Sequence, residues 1–293
     1  MPRISIADWT ATGRTFDYRG HAIFTRTAGS RDAEPLVLIH GFPTASWDWE
    51  ALWPELEKRY RLLTLDMIGF GLSAKPRDYD YSLRDQAELF ERFLVNEGVR
   101  AYHVLAHDYG DTVAQELLAR QGEPGERPEL KSVVFLNGGL FPEMHRPVLM
   151  QKLLVSPLGP LLARLSNRRT LAANMRKIFG PDTQPDDALI DAFWSLLSRN
   201  EGTAVMPKLL GYMAERRVHR ERWVGALQHA KVPLAVIDGA TDPISGAHMV
   251  ERYRELVPNP RVTLLERIGH YPQVEAPEAV LKAYLAFRGS KAQ

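Results

Sequence analysis

Four segments in the first half of the chain, Leu36–Ile39, Leu62–Leu65, His103–Leu105 and Ser132–Leu136, are short, largely apolar and followed by a turn. A strand of that kind has no polar face to give to water, so both of its faces must be covered. Between the runs lie helical patterns; in Ser82–Asn96, the apolar residues Leu83, Ala87, Leu89, Phe90 and Phe93 recur at helical spacing. This alternation is satisfied by a parallel sheet with helices on both faces, the α/β class. Two more strands are expected around 14–18 and 21–27, joined by Arg19-Gly20 as a hairpin turn. Pro233–Ile237 and Arg261–Leu265 bring the strand pattern back near the end.

The alternation stops after Leu136. From about 138 to 228 the chain reads as helical and is punctuated by prolines, with no convincing strand. Asp186–Asn200 is the clearest helix, with Asp186 or Asp187 as its cap and Leu189, Ile190, Phe193, Leu196 and Leu197 as its apolar face. The expected organisation is a core formed by 1–137 and 229–293, interrupted by a helical cap at 138–228. Ligand sites in open α/β sheets lie beyond the carboxyl ends of the strands, where such a cap would cover them.

The chain has 293 residues, 45% of them hydrophobic, enough for a sizeable core. A formal net charge of +1 offers no overall attraction for nucleic acid or membrane. The absence of cysteine excludes disulfides, thiolate catalysis and Cys-based zinc sites, and the histidines lack ligand spacing, so no metal and no cofactor are expected. The start, MPRISIADWTATG, lacks the apolar core of a signal peptide, and no stretch approaches the ~18 apolar residues of a membrane span. A soluble, cytoplasmic protein is the expectation.

The chemistry-bearing residues cluster in turns after strands. His40-Gly41-Phe42-Pro43 follows the first core strand, and Asp108 sits in Ala106-His107-Asp108-Tyr109-Gly110, a strand–turn–helix elbow of the type that usually presents a serine. Gly239-Ala240-Thr241-Asp242-Pro243 and Gly269-His270-Tyr271-Pro272 follow the last two strands. The order is nucleophile candidate, acid, histidine. Each residue also has a plainer reading: Asp108 as a helix cap, Asp242 as a turn residue with Asp238 close by, His270 as a surface histidine, and Tyr212 as core packing. His40 and His107 are read as structural supports, and the basic run Arg216–Arg222 as a solvated helix face.

HGFPTASWDW, DMIGFGLS, HDYGD, GATDP and GHYP, in that order, resemble the α/β-hydrolase superfamily over nearly the whole chain. The resemblance implies a mostly parallel eight-stranded sheet with helices on both faces and an inserted helical cap. HGFP with HDYG is similar to the epoxide hydrolase and haloalkane dehalogenase branch, which uses an aspartate nucleophile. The chemistry fits the residue: a carboxylate attacking an sp3 carbon forms an ester that water can cleave, whereas a serine would form a stable ether. On that resemblance His270 activates water, Asp242 orients it, the amides of Phe42 and Tyr109 form the oxyanion hole, and Phe42–Pro43 is cis.

Gly211-Tyr212-Met213-Ala214 is similar to the epoxide hydrolase segment carrying a lid tyrosine, which makes Tyr212 the proton donor. Between Tyr109 and Tyr212 there is no tyrosine to be the second. Asn137–Pro147 and Arg222–Leu227 are similar to the mesoderm-specific transcript protein group. His145, Trp194 and Trp47 are candidates for lining the pocket. The expected function is opening of epoxides to vicinal diols. Two rivals are dehalogenation of haloalkanes by the same residues, against which stand Tyr109 and Phe42 where halide-binding side chains are usual, and a non-catalytic ligand-binding protein. The expected partners are a small apolar epoxide or haloalkane and water, with no nucleic acid and no membrane, and a homodimer as the candidate assembly.

Overall fold

The computed structural model describes residues 3–290. Its strands are β1 (Arg14–Tyr18), β2 (His21–Ala28), β3 (Pro35–Ile39), β4 (Arg61–Leu65), β5 (Ala101–His107), β6 (Glu129–Leu136), β7 (Leu234–Gly239) and β8 (Val262–Leu265). They form one eight-stranded sheet in the order β1-β2-β4-β3-β5-β6-β7-β8. Only β2 runs against the others: it pairs antiparallel with β1 and β4, and every other pairing is parallel. The strand direction of travel reverses around β3, with β4 on one side and β5 on the other, so the ends of β3 and β5 open at a topological switch point.

Helices α1 (Ile6–Ala11), α2 (Trp53–Leu56), α3 (Leu83–Asn96) and α4 (Tyr109–Arg120) precede β6. The predicted apolar face of α3 is the buried one, and Ser82 caps its start by accepting the Arg84 amide at 3.1 Å. Between β6 and β7 the chain forms α5 (Leu149–Leu154), α6 (Gly159–Leu165), α7 (Arg168–Ile178), α8 (Asp187–Ser198), α9 (Gly202–Leu209), α10 (Tyr212–Val218) and α11 (Arg220–Gln228). Asp186 caps α8, accepting the Leu189 amide at 2.7 Å. The chain closes with α12 (Ala247–Leu256), α13 (Pro272–Glu275) and α14 (Pro277–Gly289).

The inserted helices are fastened to the sheet layer by two carboxylates, the buried Glu116 and the half-buried Glu215. Glu116 of α4 accepts from Arg222 Nε at 2.7 Å, Trp223 Nε1 at 2.8 Å and Arg120 Nε at 2.9 Å. Burial opposes its charge, but these donors hold the carboxyl down at about 2. Glu215 of α10 takes the Ser82 hydroxyl at 3.0 Å and the Leu83 amide at 2.9 Å, at the positive end of the α3 dipole. The first set of contacts ties α11 to the middle of α4, and the second ties α10 to the start of α3.

Helix α4 lies so close to β3 that Gly110 cannot carry a side chain: a Cβ there would be 2.6 Å from the His40 carbonyl oxygen and 2.7 Å from that of Ile39. Gly225 in α11 is the contrasting case, with no atom within 4 Å of the added carbon. Gly110→Ala is therefore expected to lose about 1–3 kcal/mol through forced backbone displacement. Gly225→Ala gains up to about 1 kcal/mol from helix propensity alone. Urea unfolding of the two variants checks the opposite signs.

Candidate active site

Asp108 is the residue between β5 and α4, with φ 48° and ψ −105°. A non-glycine residue there is strained by roughly 1–3 kcal/mol and persists only where its surroundings over-determine it. Here the Asp108 amide donates to the Leu136 carbonyl at 3.1 Å, and its own carbonyl accepts from the Asp111 amide at 3.2 Å and Arg216 Nη2 at 3.0 Å. Gly41 supplies the room: a Cβ there would lie 2.6 Å from His107 Nδ1 and 2.9 Å from Asp108 Cβ. Ala106 is fully buried in the ladder between Ile39 and Phe135. The close approach falls at Gly110, not at 106.

The turn after β3 folds over this elbow. The Phe42 amide donates to Asp108 Oδ2 at 3.0 Å, and the Phe42–Pro43 bond is cis. The Tyr271 hydroxyl donates to the Phe42 carbonyl at 3.2 Å, fixing the turn from the far side. His40 and His107 are structural, as expected: His40 Nε2 accepts the Met67 amide at 3.0 Å, and His107 Nε2 donates to the His270 carbonyl at 2.7 Å. Burial, followed by the charge of His270, pushes His107 down to about 3 and keeps it neutral.

His270 Nδ1 meets Asp242 Oδ2 at 2.8 Å, and both groups are buried. Asp242 also accepts the Ile244 amide at 2.8 Å, the Ser245 hydroxyl at 2.8 Å and Asn137 Nδ2 at 3.1 Å. The neighbouring Asp238 is bonded to Asn137 at 3.2 Å, and burial plus the charges of Asp242 and Asp111 push its carboxyl well up. Asp242, not Asp238, is the acid facing the histidine.

From above, α10 brings Tyr212 and Arg216, one turn apart, onto the elbow. The Tyr212 ring is 5.2 Å from Tyr109 and 6.3 Å from Phe42, and its hydroxyl accepts Gln151 Nε2 at 3.3 Å. The Arg216 guanidinium lies 4.4 Å over the Tyr212 ring and donates through Nε to Thr112 Oγ1 at 2.7 Å. Arg216 is 1% exposed, so the basic run 216–222 is not a uniformly solvated face. His145 packs 6.4 Å from Tyr212 with neither ring nitrogen hydrogen-bonded.

Two further pocket candidates are tryptophans. Trp47 gives its indole N–H to the Ile4 carbonyl at 2.8 Å and stands behind Phe193, 6.2 Å away. Trp194 is half-buried on α8; the residue that reaches Tyr271, at 5.6 Å, is Phe193. Successive helical residues point about 100° apart, and of this pair Phe193 is the buried one while Trp194 is half-buried. The sequence does not single out Tyr271, which carries no local signal of its own beside His270, or Arg216, which sits in charged company. Among the described residues no cluster of His, Asp and Glu is arranged to hold a metal ion.

The sequence profile of the α/β hydrolase fold matches residues 34–277. The chain belongs to the α/β-hydrolase family. The mouse mesoderm-specific transcript protein is 41% identical over 99% of this chain and 90% of its own length. LipZ of Mycobacterium tuberculosis is 38% identical over 98% of this chain and 99% of its own length. The structure of the epoxide hydrolase CorEH is similar in fold, with a TM-score of 0.75 and 19% identity over 94% of this chain and 98% of that one.

In this family member the site's charges are unequal. Burial works against a protonated His270, but Asp242 and then Asp108 outweigh it and raise the ring to about 9 from its ordinary 6.5. Asp242 moves the other way: burial is offset by His270 and the donors around it, and its carboxyl is lowered. A raised histidine stabilises the fold fully below its unfolded value and loses that contribution as pH rises through the folded one. The stability advantage of wild type over His270→Gln is thus greatest below pH 6.5 and fades as pH rises through about 9. In an Asp108→Asn background the fade moves to lower pH. Chemical denaturation across that range measures both.

Proposed function

We propose that this protein is a hydrolase opening small apolar epoxides to vicinal diols through an ester on Asp108. The observation that carries the reading is the Phe42 amide bonded at 3.0 Å to Asp108 Oδ2. That donor is already seated on the oxygen that becomes the ester carbonyl, which leaves Oδ1 to attack. A serine site needs no such contact in its resting state.

In the first step Oδ1 bonds to an epoxide carbon, the ring C–O bond breaks, and the alkoxide takes the Tyr212 proton. Gln151 donates to the Tyr212 oxygen, so the tyrosine's own proton stays free for the substrate. Burial and then the Asp108 charge raise Tyr212, keeping it protonated at neutral pH. His145, neutral because burial and Arg216 push it down to about 3, offers an N–H where a second lid tyrosine is lacking. Esterification neutralises Asp108 and so removes one of the carboxylates that hold the proton on His270. The ring then gives that proton up, through solvent, to the phenolate that step one left at Tyr212, and the neutral imidazole takes a proton from the water that attacks the ester carbon. The tetrahedral oxygen is held by the amides of Phe42 and Tyr109, each such donor contributing about 3–4 kcal/mol in measured cases. Collapse breaks the ester C–O bond, the departing alkoxide takes the proton held by His270 to complete the diol, and the acid left at 108 returns its proton to His270, which restores the ionised Asp108.

Carbon–halogen cleavage is less well supported, because a departing halide needs side-chain donors. The Tyr109 hydroxyl is engaged by the Tyr81 carbonyl at 3.3 Å, and the Trp47 indole by Ile4. A purely ligand-binding role leaves the Asp242–His270 pairing without a purpose.

In heavy-oxygen water, a single turnover with excess enzyme places the label in Asp108 and none in the diol. With His270→Gln the ester accumulates, and intact-mass measurement finds the substrate's mass on Asp108. Asp108→Ala abolishes turnover, and Tyr212→Phe lowers kcat by about 10²–10⁴. Label in the first-turnover diol, or no adduct at Asp108 in any variant, sinks the reading.

A further inference from the structure

Six of the eight large apolar side chains that stand most exposed on the described residues lie between 149 and 165: Leu149, Leu153, Val155, Leu158, Leu161 and Leu165. Leu149 and Leu153 are one turn apart on α5, and Leu158, Leu161 and Leu165 follow a helical stripe along α6. Leu149, Leu158 and Leu165 are 69%, 63% and 64% exposed, so they project into solvent instead of filling a groove. Scattered single leucines need no explanation, whereas a run of this density on one surface does.

Charge supplies the second observation. Between Glu143 and Asp182 the chain contains no acidic residue and seven Lys or Arg. Arg168 and Arg176 of that set pair with Asp187 and Asp191 of α8. Lys152 on α5 and Arg164 on α6 sit among the exposed leucines and are themselves exposed. A groove of about 850 Å³ runs between these helices and the outer side of α9 and α10, with Lys152, Lys208 and Arg217 on its walls.

We infer that the outer face of α5 and α6 docks on an anionic lipid bilayer, the leucines entering the interface and Lys152, Arg164 and Lys208 meeting the headgroups. Short amphipathic helices with aliphatic tips and a basic fringe bind membranes this way without crossing them. A second copy of the chain is the poorer occupant, since two-fold pairing of this patch would set its basic fringe against itself. Gly211, Met213 and Ala214 line the groove beside Tyr212, so a docked bilayer sits one helix from the buried site. That position suits an apolar substrate, although vesicle binding does not depend on the proposed reaction.

The test is flotation of the full chain with vesicles of phosphatidylcholine alone and of phosphatidylcholine mixed with phosphatidylglycerol. The wild type floats with the mixed vesicles, and added salt weakens the binding. Lys152→Glu with Arg164→Glu lowers affinity by at least about fivefold per charge, and Leu158→Ser with Leu161→Ser lowers it at least as far. These side chains are exposed, and an unchanged thermal melt confirms that each variant is folded. Failure to float with either vesicle, or binding that ignores both pairs of substitutions, overturns the inference. So does a dimer in sedimentation velocity that the leucine substitutions dissolve.

Discussion

The backbone at Asp108 is the constraint on which the site depends. A side chain leaving a left-handed turn between a central strand and a buried helix is aimed out of the sheet, toward the carboxyl ends of its neighbours. The strain is held by contacts with no slack: Gly110 lets α4 press on the carbonyls of β3, and Gly41 lets the next turn close over the elbow. Once those distances are set, the Phe42 amide has only the Asp108 carboxylate to meet. The same geometry with a hydroxyl at 108 would leave that amide without its present partner. The turn, the helix and the carboxylate form one unit.

A second constraint is that several carboxyl groups share a dry space. Asp108, Asp111, Asp238 and Asp242 are all buried around the ends of β5, β6 and β7. Charges cannot be held there without partners. Burial, then the charge of Asp108, pushes Asp111 well up, and burial with the charges of Asp242 and Asp111 pushes Asp238 up likewise. Asp242 stays ionised because His270 and four other donors face it. Arg216 brings the remaining buried cation to the backbone of Asp108. Its position over the Tyr212 ring means that the helix supplying the proposed proton donor is clamped to the elbow that supplies the carboxylate.

The sheet and the convergence of Asp108, Asp242 and His270 were legible in the sequence because each depends on local signals, namely an apolar run and the turn that ends it. Parallel strands then bring turns far apart in the chain to one edge. Arg216 was not legible, because Glu215, Arg216, Arg217, Arg220, Glu221 and Arg222 read as a charged surface. Which residues of that helix turn inward is decided by the docking of α10 on α3 and α4, through Glu215 and Thr112. The choice of Phe193 over Trp194 is of the same kind. Hydrophobicity marks both as inward, and only the rotation of α8 against Tyr271 separates them.

The net charge of +1 shows the limit of averaging. A balance taken over the chain suggests indifference to charged surfaces, yet the segment 144–181 carries every one of its charges with the same sign. Screening confines the reach of exposed charges to about 10 Å, so a bilayer lying on α5 and α6 would respond to that segment and not to the distant acids that cancel it in the total. The inserted helices therefore have two unlike faces. The inner face is tied to the sheet layer by the hydrogen bonds of Glu116, Glu215 and Arg216. On the outer face the leucines have no partner to satisfy, and the physical cost of exposing them is removed only when something apolar covers them.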